Sequence, residues 1–165
     1  MWSVAGQRFL YSFSGHSNWV RSAVFAPDAR LVASGGDDKT VRIWDTERHA
    51  CIHSFTDHTR YAHSPISALC YFFNTSSCSI VTNVAFHPDG TCLASTGGDR
   101  SIKLFDLRTK ALLQHYDAHA DTVNALAFHP SGGYLLSGSN DGMLKVCTRL
   151  CVYACVCVCA FVAAL

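Results

Sequence analysis

Residues 15–45 read GHSNWVRSAVFAPDARLVASGGDDKTVRIWD, opening on Gly-His and closing on Trp-Asp. Within them, residues 19–25 alternate along an extended chain, with Trp19, Ala23 and Phe25 on one side and Val20, Ser22 and Val24 on the other. Pro27-Asp28 interrupts this run, because proline cannot donate to a sheet ladder and aspartate favours turns. Residues 31–34 form a second apolar run, and Gly35-Gly36-Asp37-Asp38 carries the composition of a tight turn. Residues 40–44 form a third, in which Thr40, Val41 and Ile43 are stiff at χ1 and suited to a pleated surface. The pattern predicts an antiparallel meander. A single meander cannot bury both faces, so it needs copies of itself.

The copies follow. Residues 81–106, VTNVAFHPDGTCLASTGGDRSIKLFD, match residues 20–45 at a constant offset of 61, and residues 123–146, VNALAFHPSGGYLLSGSNDGMLKV, match at 103. Val20, Phe25, Pro27, Ser34 and Asp38 recur as Val81, Phe86, Pro88, Ser95 and Asp99, and again as Val123, Phe128, Pro130, Ser137 and Asp141. A fourth run ends at Phe55 and is repeated over residues 112–116, so each unit carries four strands. Repetition at this period with Gly-His and Trp-Asp signatures resembles the WD-repeat family, whose units are blades of a β-propeller. The resemblance implies an all-β fold: about three four-stranded antiparallel blades, the last incomplete, in a ring that is not closed. Trp44 precedes His58 by 14 residues, as Trp2 precedes His16, which puts Trp2 at the Trp-Asp position of a preceding blade with residues 7–13 as its last strand. The expected division is 1–13 as the end of that blade, 14–58 as a repeat, 59–80 as an insertion, 81–117 as the rest of the second repeat, 118–147 as a truncated third and 148–165 as an aberrant tail.

The 165 residues suffice for one core. Propellers of this type close with about four to eight blades, so open edges are expected, with marginal stability or self-association. The apolar content is 49%, the charged content 15% and the net charge +1, and no Lys/Arg run stands ready to follow a phosphate backbone. Nucleic acid is therefore not an expected partner. Met1 leads directly into strand-like sequence rather than a signal peptide. The cysteines at 51, 70, 78 and 92 show no disulfide spacing, which suits a reducing, cytosolic setting.

Two segments break the pattern. His58 to Val81 spans 23 residues where His16 to Val20 and His119 to Val123 span four, and the excess falls within residues 60–79, RYAHSPISALCYFFNTSSCS. It reads either as a binding loop carrying Tyr71-Phe72-Phe73 or as an in-frame inclusion of other sequence, tolerated because surface loops add little closure entropy. The tail, residues 151–165, is CVYACVCVCAFVAAL, and its Cys-Val alternation is what a repeated TG dinucleotide encodes. Three other readings stand. Cys155, Cys157 and Cys159 share one side of an extended chain but lack the C-x-x-C pairs of zinc sites. Residues 150–165 are uncharged yet shorter than the roughly 20 residues of a spanning helix. The alternation also suits a strand pairing with residues 143–147. Neither a metal nor a membrane partner is expected.

His16, Ser34 and Asp38 together suggest a hydrolytic triad, but the set recurs as His58, Ser95, Asp99 and as His119, Ser137, Asp141. A hydrolase needs one nucleophile in one cleft with an oxyanion hole. Repetition points to architecture. In WD-repeat proteins the matching residues form a buried hydrogen-bond network, here Trp44 through Ser34 and His16 to Asp38, pinning the outer strands. Phe105 and Cys147 stand at the tryptophan position of the second and third units, removing the indole donor. Gly35-Gly36 and Gly97-Gly98 read as turn glycines rather than nucleotide loops, since no helix follows. His87-Pro88 and His129-Pro130 read as turn entries. The chain is expected to be no enzyme, with no cofactor and no small-molecule substrate.

Particular strings resemble one branch. HSNWVRSAVFAPDARLVASGGDDKTVRIWD and, from residue 86, FHPDGTCLASTGGDRSIKLFDLRTKALLQHYDAHADTVNALAFHPSGGYLLSGSNDGMLKV are similar to the centriolar WD-repeat proteins, most specifically in residues 112–116 with His119, Val123-Asn124 and residues 129–132. This resemblance implies a non-catalytic scaffold in centriole and basal-body assembly and in cilium formation, binding other proteins, located in the cytoplasm and cytoskeleton at the centrosome and basal body. The other reading is a WD-repeat adaptor of a ubiquitin-ligase or transcription complex. Arg21, Arg42 and Lys103 are rim candidates for partner contact.

Overall fold

The computed structural model describes residues 1–59, 79–148 and 156–160. The insertion's aromatic trio, Cys155 and most of the tail lie outside the described residues. Among those described, the regular elements are all strands apart from one 3-10 turn, Asp57–Thr59. A short hairpin, β1 (Trp2–Ser3) and β2 (Arg8–Phe9), precedes three four-stranded antiparallel sheets. The first is β3 (Val20–Phe25), β4 (Leu31–Gly36), β5 (Val41–Asp45) and β6 (Ala50–Phe55). The second is β7 (Val81–Phe86), β8 (Cys92–Gly97), β9 (Ser101–Asp106) and β10 (Ala111–Asp117). The third is β11 (Val123–Phe128), β12 (Tyr134–Ser139), β13 (Leu144–Thr148) and β14 (Val156–Ala160). The third blade thus has a fourth strand, because the alternating tail offers a backbone ladder in the register Leu144↔Ala160.

Cross-strand pairs assign the faces, since directly opposed residues share a side of the sheet. In the first blade Val24, Ala33 and Ile43 face one way, and Phe25, Val32 and Trp44 the other. The first set packs on Val81, Val84, Phe86, Leu93 and Phe105 of the second blade. The opposite face of the second blade, Ala94, Ile102 and Leu104, packs on Leu126 and Leu135 of the third. Among the described residues the middle blade is therefore packed on both sides by its neighbours, while the first blade's other face meets only Phe13, on Trp44.

The turns repeat as faithfully as the strands. Lys39, Arg100 and Gly142 take positive φ at one turn position, and Ala29, Gly90 and Gly132 do so at another. Gln7, His49 and Lys110 mark a third such position. Around Gln7, β1 and β2 pair as Trp2↔Phe9, the same separation as Trp44↔Cys51 in β5–β6.

Three expectations are corrected. The strand foreseen over residues 7–13 is confined to Arg8–Phe9, because β1 offers only two partner residues; beyond it, Tyr11 donates to the Thr46 carbonyl at 3.1 Å. Gly35 and Gly36 belong to β4 rather than to the turn, because the neighbouring blade needs the space: a Cβ on Gly35 would lie 2.4 Å from Val81 Cγ1. Gly97 likewise ends β8.

Candidate functional site: the repeated His–Ser–Asp set

Each set is assembled the same way. The histidine sits in the segment entering the blade, the serine on the second strand, and the aspartate in the turn leading to the third. In the first blade His16 Nδ1 lies 2.8 Å from Asp38 Oδ2, His16 Nε2 lies 2.7 Å from Ser34 Oγ, and Trp44 Nε1 donates to Ser34 Oγ at 2.8 Å. The partners assign the protons. A carboxylate only accepts, so Nδ1 carries the hydrogen, Nε2 accepts from the serine hydroxyl, and that hydroxyl accepts from the indole. The Thr40 hydroxyl completes the turn, donating to Asp38 Oδ1 at 2.9 Å. The network joins the entry segment to the second and third strands. It does not reach the outermost strand, contrary to the expectation that it pins the blade's outer strands, because Trp44 on β5 is its last member.

In the second blade His58 Nδ1 lies 3.0 Å from Asp99 Oδ2, and Nε2 lies 2.6 Å from Ser95 Oγ. Phe105 supplies no N–H, but its ring is fully buried. Lys103 pairs with Asp99 and is itself only 1% exposed. Lys103 is therefore not a rim residue. It points into the blade-to-blade layer, since Lys103 lies opposite Ser95 on the face covered by the first blade. Burial holds the His58 imidazole below its ordinary value, against the opposing pull of Asp99. Burial pushes the Asp99 carboxyl upward, but His58 and Lys103 outweigh it and hold it well below the usual carboxylate range.

In the third blade His119 Nδ1 lies 3.0 Å from Asp141 Oδ2, and Nε2 lies 2.9 Å from Ser137 Oγ. Cys147 occupies the tryptophan position, half-buried against the second-to-third blade layer. Partial burial would raise the Asp141 carboxyl, yet N–H donors from Ala120 and Met143 and the His119 ring bring it to about 2. The Asp38 carboxyl is lowered in the same way, with burial overcome by His16, Thr40 and Ser17.

Chemically these sets are closed. Every histidine nitrogen is engaged, each serine hydroxyl is spent on its histidine, and among the described residues no buried side-chain polar atom lacks a partner. The serines are buried, with Ser34 at 4% and Ser95 at 0% exposure, so a substrate carbonyl has no approach. Elsewhere, a groove of about 440 Å³ is lined by Gly90, Thr91, Cys92, Asp106, Leu107, Arg108 and Leu113. Asp106 there accepts from the backbone N–H of Arg108 at 2.7 Å, and no histidine stands beside the Cys92 thiol. Among the described residues no cluster of three or more His, Cys, Asp or Glu could hold a metal ion.

Of the rim candidates, Arg21 is held by Asp37 through two hydrogen bonds of 2.7 and 2.6 Å and lies over the Trp19 ring at 5.3 Å. Arg42 donates to the Thr40 hydroxyl at 3.3 Å. Trp19, 71% exposed, was not singled out from the sequence as a surface residue. Its alternation with Ala23 and Phe25 marked a face, and nothing in the sequence told which face lacks a neighbour.

The sequence profile described as "WD domain, G-beta repeat" matches residues 7–45, 72–106 and 110–147. The chain belongs to this WD-repeat family. It is 33% identical over 152 residues to "Nuclear distribution protein PAC1" of Arthroderma benhamiae, a match covering 88% of this chain and 32% of that protein. It is 27% identical over 164 residues to "Pre-mRNA-processing factor 19 homolog 2" of Arabidopsis thaliana, covering 82% and 31%. It is 29% identical over 141 residues to "Protein HIR1" of Candida albicans, covering 85% and 15%. The chain thus spans about a third or less of the length of these relatives. As a WD-repeat chain it is of the protein-interaction scaffold type, a class that is in general non-catalytic.

Proposed function

We propose that this WD-repeat chain serves as a non-catalytic scaffold in centriole and basal-body assembly or stability and in cilium formation, located in the cytoplasm at the centrosome and basal body. The observation that carries the scaffold part is the threefold repetition of the same closed His–Ser–Asp geometry, which spends the chain's most reactive-looking groups on rigidity. What remains for function is surface. Rigid rims such as Trp19 with Arg21 and Asp37 present an aromatic and an ion pair in fixed relation, as protein recognition requires. The centriolar part rests on the resemblance of residues 112–132 to that branch. Tagged protein co-localising with a centriole marker supports this reading, and a purely diffuse or nuclear signal contradicts it.

A second reading, an adaptor subunit of another complex, is favoured by the relatives whose names speak of nuclear distribution and pre-mRNA processing. Affinity capture separates the two. Recovery of ligase or nuclear-complex subunits without centriolar proteins selects the adaptor.

A further inference from the structure

His87 and Gly132 join the second blade to the third through a contact that the first and second blades lack. His87 follows β7 in the turn to β8, and Gly132 lies in the matching turn of the third blade, between β11 and β12. His87 Nε2 stands 3.1 Å from the Gly132 carbonyl oxygen, and the ring meets Phe128 edge-on at 5.1 Å. The fit is close: a Cβ on Gly132 would lie 2.7 Å from the His87 ring. Between the first two blades the same positions are Ala26 and Gly90, and a Cβ on Gly90 would meet nothing within 4 Å.

The partners of the ring ask different things of it. The Gly132 carbonyl only accepts, so Nε2 carries a hydrogen. Nδ1 lies 2.6 Å from Asp89 Oδ1, which also only accepts, and 3.3 Å from the Asp89 backbone N–H, which only donates. A neutral ring with its hydrogen on Nε2 can take that N–H, but it turns a lone pair toward the carboxylate. A protonated ring donates to both acceptors at once, and charge-assisted bonds are roughly twice as strong as neutral ones. Thr91 fixes the carboxylate in place, its N–H and hydroxyl donating to Asp89 Oδ1 at 2.8 and 2.7 Å. Burial pushes the Asp89 carboxyl upward, but Thr91 and His87 outweigh it and hold it below its ordinary value. From the third blade the ring meets Phe128 and Gly132, neither of them charged, and the adjacent His129 is engaged by Ser131 Oγ at 2.7 Å. Among the described residues Asp89 is the only ion-pair partner of His87.

We propose that His87 is a proton-gated clasp between the second and third blades. Protonated, it donates a charge-assisted bond across the blades to the Gly132 carbonyl while Asp89 holds the ring in the orientation that bond needs. Neutral, it keeps a weaker bond and loses the hold of Asp89. The tight clasp belongs to acidic pH and loosens as pH rises through the range of roughly 5 to 8 in which histidine changes charge. Burial makes His58 act in the opposite sense, so the two are separated by sign. The clasp is independent of which partner the scaffold binds.

Hydrogen exchange of the 165-residue chain, corrected for the intrinsic rate at each pH, tests this at the His129 and Gly132 amides, which donate to the Tyr134 and His129 carbonyls in the third blade's turn. Their protection relative to the amides of β8 is expected to fall about three- to tenfold between roughly pH 5.5 and 7.5. Imidazole nitrogen spectra of the same samples should place the neutral ring's hydrogen on Nε2. His87→Gln keeps an amide donor for the Gly132 carbonyl but does not titrate, so its turn should exchange alike at both pH values. Asp89→Asn keeps an oxygen for Thr91 but removes the carboxylate, so it should at least halve the pH effect. In the wild-type chain alone, protection that is equal at both pH values or rises with pH overturns the proposal, as does a neutral ring protonated on Nδ1. Full pH dependence retained in H87Q overturns it as well.

Discussion

Phe55, at the end of the first blade's last strand, stacks on Phe105 of the second blade with ring centroids 4.2 Å apart and planes 27° from parallel. Phe13 stands in the same relation to Trp44, at 5.2 Å and 31°. Phe55 ends β6 and Phe13 lies beyond β2, so in both cases the chain at or just past a blade's last strand reaches across to the third strand of the following blade, at the position occupied by tryptophan or its substitute. The aromatic ring at that position holds neighbouring blades together, and only its N–H serves the hydrogen-bond network.

Phe105→Ala should therefore cost about 3–5 kcal/mol, as for other large-to-small aromatic changes in a packed core. That is a large part of the stability of a domain this size. Urea denaturation followed by circular dichroism checks it. A loss below about 1 kcal/mol would mean the blade-to-blade layer closes over the gap.

Stability should fall in two stages on acidification. The folded His58 imidazole lies below its ordinary value of 6.5, so below that pH the unfolded chain takes up a proton the folded chain refuses, and stability declines as pH falls from 6.5 toward the folded value. The Asp99 and Asp141 carboxyls lie below their ordinary 3.8, Asp141 at about 2. Their contribution is complete above 3.8 and is lost as pH falls from there toward about 2. Urea midpoints measured across this range should show both stages. His58→Gln should flatten the upper stage and leave the lower, and an unchanged upper slope would assign it to another group.

Three turns, at Ala29, Lys39 and Arg100, carry a side chain where the repeat elsewhere uses glycine. Ala29 has φ 59° and Lys39 has φ 68°, and their counterparts include Gly90, Gly132 and Gly142 at 74–75°. Left-handed backbone costs a non-glycine residue roughly 1–2 kcal/mol, part of which the greater freedom of glycine in the unfolded chain returns. Ala29→Gly and Lys39→Gly should each raise stability by about 0.5–1 kcal/mol, read as a higher urea midpoint at unchanged slope.

Much of this architecture was legible in the sequence because it repeats. The offsets that align Ser34, Ser95 and Ser137 also align the strands, the turns and the network. The misreadings fell where a residue's role depends on its neighbour rather than on its own blade. Gly35 has turn composition, and only the approach of Val81 from the next blade shows it to be a packing glycine. Lys103 has the charge of a surface residue, and only the covering first blade and the pairing with Asp99 show it to be buried. Residues 7–13 take the place of a last strand by the spacing of Trp2 and His16, yet only Arg8 and Phe9 pair, with Ser3 and Trp2.

The repeated His–Ser–Asp sets are architecture, and comparing the three serines side by side is the decisive check. Ser34→Ala, Ser95→Ala and Ser137→Ala should be measured side by side for urea stability and for ester hydrolysis. Ser34→Ala strands both the Trp44 N–H and His16 Nε2, so it should cost about 1–3 kcal/mol. Ser95→Ala and Ser137→Ala, each releasing its histidine with no indole involved, should cost less, and none of the three should alter hydrolysis. A single substitution that abolished hydrolysis at unchanged stability, while the other two did not, would contradict the account.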